Sequence, residues 1–142
     1  IAEQEGLDYR FDKISLEDHA HPNTVRMTLE RGNIKATLTG CSLGAGRVLV
    51  TEIDGYPVEI SGNFHTIALV AEDRKGSIAR ITGLLADHDI NIATLRLTRK
   101  HRGGDAFMVI ECDDSPGESV RDELRALDWV RWARRLEKVS GG

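Results

Sequence analysis

The 142-residue sequence predicts an α+β fold, with a small β-rich first segment followed by a βαββαβ unit. Three observations predict it. Between residues 24 and 60, apolar and polar residues alternate with a period of two, broken only at glycine-bearing turns. From residue 65 onward, strand-like runs alternate with two stretches whose apolar residues recur at helical spacing. The composition is 40% hydrophobic and 30% charged but only 5% aromatic, so a globular core here has to be mostly aliphatic.

Residues 1–20 mix charge with weak periodicity and read as a linker or as the end of a preceding unit. TVRMTLE (24–30) sets Val25, Met27 and Leu29 against Thr24, Arg26, Thr28 and Glu30, the pattern of a half-buried strand. Arg31 to Asn33 turn the chain, and IKATLT (34–39) alternates again. CSLGAG (41–46) follows as a glycine-bearing loop. RVLVTEI (47–53), Asp54-Gly55 and YPVEI (56–60) read as strand, tight turn and strand, because Asp-Gly accepts the positive φ that a two-residue hairpin needs.

Ser61 to Asn63 separate a second block. HTIALVAE (65–72) is an apolar strand, and residues 77–89 place Ile78, Ile81, Leu84 and Leu85 on one helical face. INIATLRLTRK (90–100) returns to alternation, HRGGD (101–105) turns, and AFMVIEC (106–112) is a strand. After a break at Ser115–Gly117, residues 118–127 put Val120, Leu124 and Leu127 on one face of a second helix. WVRWARRLEKV (129–139) closes as a strand, with Trp129 and Trp132 on opposite faces. The order is that of the ferredoxin-like split βαβ plan, with both helices on one face of a four-stranded antiparallel sheet. The other face or an edge is left for a partner to cover. The predicted organisation is two units, 1–62 and 63–142.

The net charge of −4 and pI near 5.7 argue against a nucleic-acid surface, which needs a basic face. The basic runs RLTRKHR (96–102) and VRWARR (130–135) read as solvated strand faces. Cys41 and Cys112 form no CxxC motif, and two thiols cannot hold an iron–sulfur cluster or a structural zinc, so no metal site is expected within the chain. His65, His88 and His101 have no ligand-like spacing. No apolar run approaches the roughly 20 residues of a membrane helix, and no signal peptide is visible. With so few cysteines, a reducing cytoplasm is the expected home. The first residue is Ile, which points to a piece of a longer protein.

The stretch VAEDRKGSIARITGLLADHDINI (70–92) resembles the ACT domain, a small module that binds amino acids and controls metabolic enzymes. Asp73 and Gly76 match the family's acidic residue and its glycine at the strand-to-helix turn, and Lys75 stands where the family often has proline. The resemblance implies an effector site at Asp73, Gly76, Ser77 and Asn91, and an ACT-mediated homodimer. The unpaired N–H groups and positive dipole end of the first helix suit a ligand carboxylate. The bland alternative is that Gly76 and Ser77 only start the helix.

HPNTVRMTL (21–29), CSLGAG (41–46) and VTEIDGYPVEISG (50–62), leading into such a module, resemble the carboxyl-terminal part of the β subunit of bacterial iron–sulfur L-serine dehydratases. In that family the first block is the tail of an allosteric-substrate-binding-type domain. The resemblance implies deamination of L-serine to pyruvate and ammonia on a [4Fe–4S] cluster whose cysteines lie outside this chain, on an α chain or domain. His21 and Asn23 match the family's His-Pro-Asn element, which faces the catalytic cleft. Ser42, Gly44 and Gly46 match its Ser-x-Gly-Gly-Gly loop, with Ala45 in place of the middle glycine. If strands 24–30 and 34–39 pair as a hairpin, His21 and Ser42 fall at one end of the sheet. Without the resemblance, His21 reads as a turn residue ahead of Pro22 rather than as a catalytic one.

The carboxyl-terminal end of some 3-phosphoglycerate dehydrogenases is similar, which gives a rival reading as a regulatory tail that binds an amino acid. A nucleotide site on GAG (44–46) is disfavoured by the strand that follows it, since a phosphate loop needs a helix there.

Overall fold

A computed structural model of the chain describes residues 6–15, 21–99 and 101–139. Half of the segment expected over residues 1–20 and the last residue of the strand expected over 90–100 lie outside that set, as do residues 140–142. The first block is a β meander of β1 (Thr24–Arg31), β2 (Ile34–Gly44), β3 (Arg47–Ile53) and β4 (Tyr56–Ile60), paired in that order. The second is β5 (His65–Glu72), α1 (Ser77–Asp87), β6 (Ile92–Arg99), β7 (Asp105–Cys112), α2 (Glu118–Arg125) and β8 (Val130–Leu136). Its sheet has the order β6-β7-β5-β8 with every pairing antiparallel. The α+β architecture read from periodicity is therefore the observed one.

Several elements differ from expectation. β1 is not half-buried: Val25, Met27 and Leu29 are exposed, because β1 is an outer strand of the meander and the buried contacts between the sheets are made by β2, β3 and β4. β2 runs on through Gly40, Cys41 and Ser42 to Gly44, past the end expected at residue 39. It does so across two register shifts against β3, at Thr39/Gly40 and Ser42/Gly44, where the alternation that marks a strand slips. A Cβ at Gly40 would sit 3.1 Å from the Leu49 carbonyl oxygen, so glycine lets the two strands close there. The helices are shorter than predicted, because each pattern continues into its C-terminal turn.

β5 and β7 are buried on both faces. Toward the helices, Ile67, Leu69, Met108, Ile110 and Cys112 pack with Ile81, Leu84 and Leu85 of α1 and Val120 and Leu124 of α2. Toward the other side, Ala68, Val70, Phe107 and Val109 pack with Ile53 and Ile60 of the meander. Tyr56 stacks on Phe107 with ring centroids 4.8 Å apart, and Trp132 meets Phe107 edge-on at 5.8 Å. Of the helix-free face and the sheet edge, either of which was expected to await a partner, the face is covered over much of its area by the chain's own first sheet. Both tryptophans serve the interior: Trp129 on the helix side and Trp132 on the meander side.

The basic run 130–135 is not simply a solvated face. Arg134 bonds Asp54 at 2.7 Å across the two sheets, and Arg135 reaches Glu137 at 2.9 Å and the Pro116 carbonyl at 2.9 Å.

Candidate functional site

Two sets of predicted residues lie at well-separated places. The first set gathers where β1 begins and β2 ends. Thr24 pairs with Cys41, and the Ser42 N–H donates to the Asn23 carbonyl at 3.0 Å, so His21, Asn23 and Ser42 share one end of the meander. His21 Nδ1 accepts the Asn23 N–H at 3.3 Å, and the His21 carbonyl accepts the Thr24 hydroxyl. In this chain the imidazole therefore braces its own turn. All three residues are exposed.

Beyond Ser42, the chain reverses in a two-residue turn between Gly44 and Arg47, which pair with each other. Ala45 and Gly46 have φ of +52° and +74°, the positive-φ pair of a type I′ hairpin turn, and Gly44 itself lies at +84°. CSLGAG is thus a strand end, a bulge and a tight hairpin turn, and the glycines set the direction in which Ser42 and Leu43 are presented. Cys41 points inward and is 8% exposed.

The second set surrounds the turn from β5 into α1. Gly76 caps the helix at φ +82° with no side-chain hydrogen bond, and α1 has no acidic residue in its first turn. The Ser77 N–H donates to the Arg74 carbonyl at 3.3 Å. Ser77 is buried. Asp73 Oδ2 accepts the Gly103 N–H at 3.1 Å and pairs with Arg99 at 2.8 Å. The Gly103 N–H and the Arg99 guanidinium together hold this carboxyl below its ordinary range. Asp73 thereby fastens the β6–β7 turn to the end of β5. Arg99 and Gly103 escaped the sequence reading because only the β5–β7–β6 register brings them to Asp73.

Asn91 is not brought to this turn. It hydrogen-bonds Asp113 beside Cys112, and Cys112 pairs with His65 and Ile92 at the opposite end of the sheet from Glu72. Within one chain, Asp73, Gly76 and Ser77 lie together and Asn91 lies a strand length away.

The described residues do not fit an iron–sulfur cluster. They hold no group of three or more His, Cys, Asp or Glu side chains placed for a metal. Cys41 and Cys112 are both buried and unpaired, on different sheets. Burial, with Asp113 and Asp114 adding to it, pushes the Cys112 thiol up to about 11, which keeps it protonated rather than a thiolate ligand. His65 pairs with Glu137 at 3.0 Å and His88 with Glu123 at 2.8 Å, as structural contacts. No helix among the described residues is long and apolar enough to cross a membrane.

Comparison with known proteins places this geometry in context. Residues 65–128 match the family model for the ACT domain. A probable L-serine dehydratase β chain of Bacillus subtilis is 35% identical over 127 residues, covering 89% of this chain and 57% of that one. The L-serine dehydratase β chain of Peptoniphilus asaccharolyticus is 27% identical over 96% of this chain and 62% of its own length. The D-3-phosphoglycerate dehydrogenase of Bacillus subtilis is 29% identical over 87% of this chain, but over only 23% of its own length. The chain therefore spans somewhat over half the length of the β chains it resembles.

Proposed function

We propose, from the premise that residues 65–128 are an ACT domain carried by a chain similar to L-serine dehydratase β chains, that this chain is a β-subunit piece of an iron–sulfur L-serine dehydratase. The observation that carries the reading is the 35% identity, which extends over 89% of the chain and so beyond the ACT match into the meander. In this reading residues 1–62 end an allosteric-substrate-binding-type domain and 63–142 form the regulatory module.

His21, Asn23, Ser42, Gly44 and Gly46 then contribute one wall of an active site completed by an α chain or domain. That part holds the [4Fe–4S] cluster, which would supply Lewis-acid chemistry at the serine hydroxyl. Ser42 and His21 are candidates for contact with substrate or for moving a proton. Their common exposure at one sheet end supports the role. So do Val25, Met27 and Leu29 of β1, which are all exposed on one face, as expected of a surface finished by further protein.

The ACT module offers β6 as a sheet edge, and we read it as a homodimer contact. Antiparallel pairing of two β6 edges sets the Asn91 end of one chain beside the partner's Asp73–Gly76 end. An effector site using all four predicted residues requires that arrangement. The chemistry of the helix start suits an amino-acid carboxylate, and L-serine is the first effector to try.

Pyruvate formation from L-serine tests the main reading. It is measured anaerobically in enzyme assembled from the full-length β chain and its α chain. Ser42→Ala and His21→Ala are expected to lower kcat/KM at least about 100-fold while the isolated chain alone stays inactive. Unchanged kinetics in both variants would remove the site from the mechanism. Light scattering that finds only monomer at high concentration would remove the homodimer.

The rival reading, a regulatory tail of a D-3-phosphoglycerate dehydrogenase-like enzyme, is supported by the 29% identity to one such enzyme. A catalytic dinucleotide-binding domain encoded upstream in the same reading frame would decide for it.

A further inference from the structure

The meander does not close over the whole helix-free face of the second sheet. Beside β6, a cleft of about 470 Å³ opens between the two sheets, which lies in the size range of small-molecule sites. Its lining has two characters. Val58, Phe107 and Val109 are apolar, and the last two are almost fully buried. Among the described residues, Glu59 of β4 and Arg96 of β6 are the charged ones that line it. They come from different sheets and form an ion pair with each other, with side chains 67% and 54% exposed. Arg96 and Thr98 project from β6 opposite Leu95 and Leu97, which pack on the helix side.

We propose that this inter-sheet cleft binds a free α-amino acid with an aliphatic side chain. The carboxylate goes to Arg96, the ammonium to Glu59, and the side chain lies against Val58, Phe107 and Val109. One cation and one anion beside an apolar wall are the complement of such a zwitterion. A simple carboxylic acid would answer Arg96 and leave Glu59 without its partner, and a simple amine would do the reverse. An ion pair this exposed contributes little to stability, so parting it to admit the ligand costs little. The Thr98 hydroxyl adds a polar partner beside Arg96. The cleft is not the Asp73–Gly76 turn: it lies on the helix-free face, whereas α1 packs on the other. It is formed jointly by β3, β4, β6 and β7, so its ligand would join the meander to the ACT sheet.

The test is a ¹⁵N NMR titration of the 142-residue chain with L-leucine. Saturable shifts are expected at the amides of Val58, Glu59, Arg96, Phe107 and Val109. 4-Methylpentanoate, which lacks the amine, and 3-methylbutylamine, which lacks the carboxylate, should each bind about tenfold more weakly or worse. Arg96→Gln and Glu59→Gln should each weaken L-leucine by a similar factor while the dispersed spectrum is retained, since both side chains are exposed. The proposal is overturned if no saturable shifts appear at these amides. It is overturned equally if 4-methylpentanoate binds as well as L-leucine, or if the shifts are confined to Gly76 and Ser77. Pairing of two β6 edges would by itself shift Arg96 with protein concentration, so the titration is run at fixed protein concentration; concentration-dependent shifts at Val58, Glu59 and Phe107, off that edge, would assign the cleft to a second copy and overturn the proposal.

Discussion

Asp54 occupies the first central position of the β3–β4 turn with φ of +49°, and its two carboxylate oxygens serve different sheets. Oδ1 accepts the Thr37 N–H at 2.7 Å, and Oδ2 pairs with Arg134 at 2.7 Å, where Arg134 also lies 4.3 Å over the Trp132 ring. Asn tolerates the left-handed conformation as well as Asp does, so Asp54→Asn keeps the turn, but it removes the charge and leaves one amide oxygen for the two donors, Thr37 N–H and Arg134. A loss of about 1–2 kcal/mol in urea unfolding is expected, and Asp54→Ala should lose more because the Thr37 N–H also goes unpaired. Asp73 supplies a pH test. Its folded pKa lies below the ordinary 3.8, first through the Gly103 N–H and then through Arg99. Its contribution to stability is therefore fully present above about 3.8 and is lost as pH falls through the lower folded value. The melting-temperature gap between wild type and Asp73→Asn should be widest near neutral pH and shrink across that acid window. A gap that does not change with pH would mean that the carboxylate charge is not what holds the β6–β7 turn.

At the scale of the element, the turns carry the sharpest expectations. A Cβ at Gly76 would meet nothing within 4 Å, so Gly76→Ala costs only the backbone strain of φ +82°, about 1 kcal/mol after the stiffer unfolded chain is counted. Ala45, at φ +52°, presents the opposite case: Ala45→Gly relieves strain and should raise stability by about 0.5–1 kcal/mol in urea titration. A destabilised Ala45→Gly variant would mean that the Ala45 methyl makes a contact the turn depends on. Turns of this kind were open to a sequence reading because Asp54-Gly55 and the glycines of 44–46 advertise positive φ directly. Strands 47–53, 56–60 and 65–72 were equally legible, since one clear period or apolar run spans each. The end of β2 was not, because the register slips at Gly40 and Ser42 break the alternation on which a strand is recognised. For the candidate site, the meeting of His21 and Ser42 followed from simple hairpin pairing. The partners of Asp73 and the remoteness of Asn91 depend on a three-strand register that no local pattern encodes.

For the whole molecule, the second sheet lies between two apolar layers. Its central strands say so: HTIALVAE and AFMVIEC show no polar alternation, the pattern of strands buried on both faces. The sequence thus held a sign that something covers the helix-free face, but not that the covering element is the preceding meander. Tyr56, Phe107 and Trp132 form a continuous aromatic contact across the two sheets, and the Asp54–Arg134 pair ties them at the edge. Phe107 is 1% exposed and contacts both Tyr56 and Trp132, so Phe107→Ala should cost about 3–5 kcal/mol. If the aromatic contact couples the sheets, the variant still unfolds in one transition, with tryptophan fluorescence and far-ultraviolet circular dichroism coincident. The complementary variant is residues 63–142 alone. Removing the meander bares Val70, Phe107, Val109 and Trp132 on one flat face, a patch that soluble monomers rarely leave open. That fragment should bind anilinonaphthalene sulfonate and elute as oligomers, whereas the full chain should do neither through this face. A fragment that stays monodisperse, binds no dye and melts at the temperature of the full chain would show that the helix-side core suffices and that the meander only rests on it.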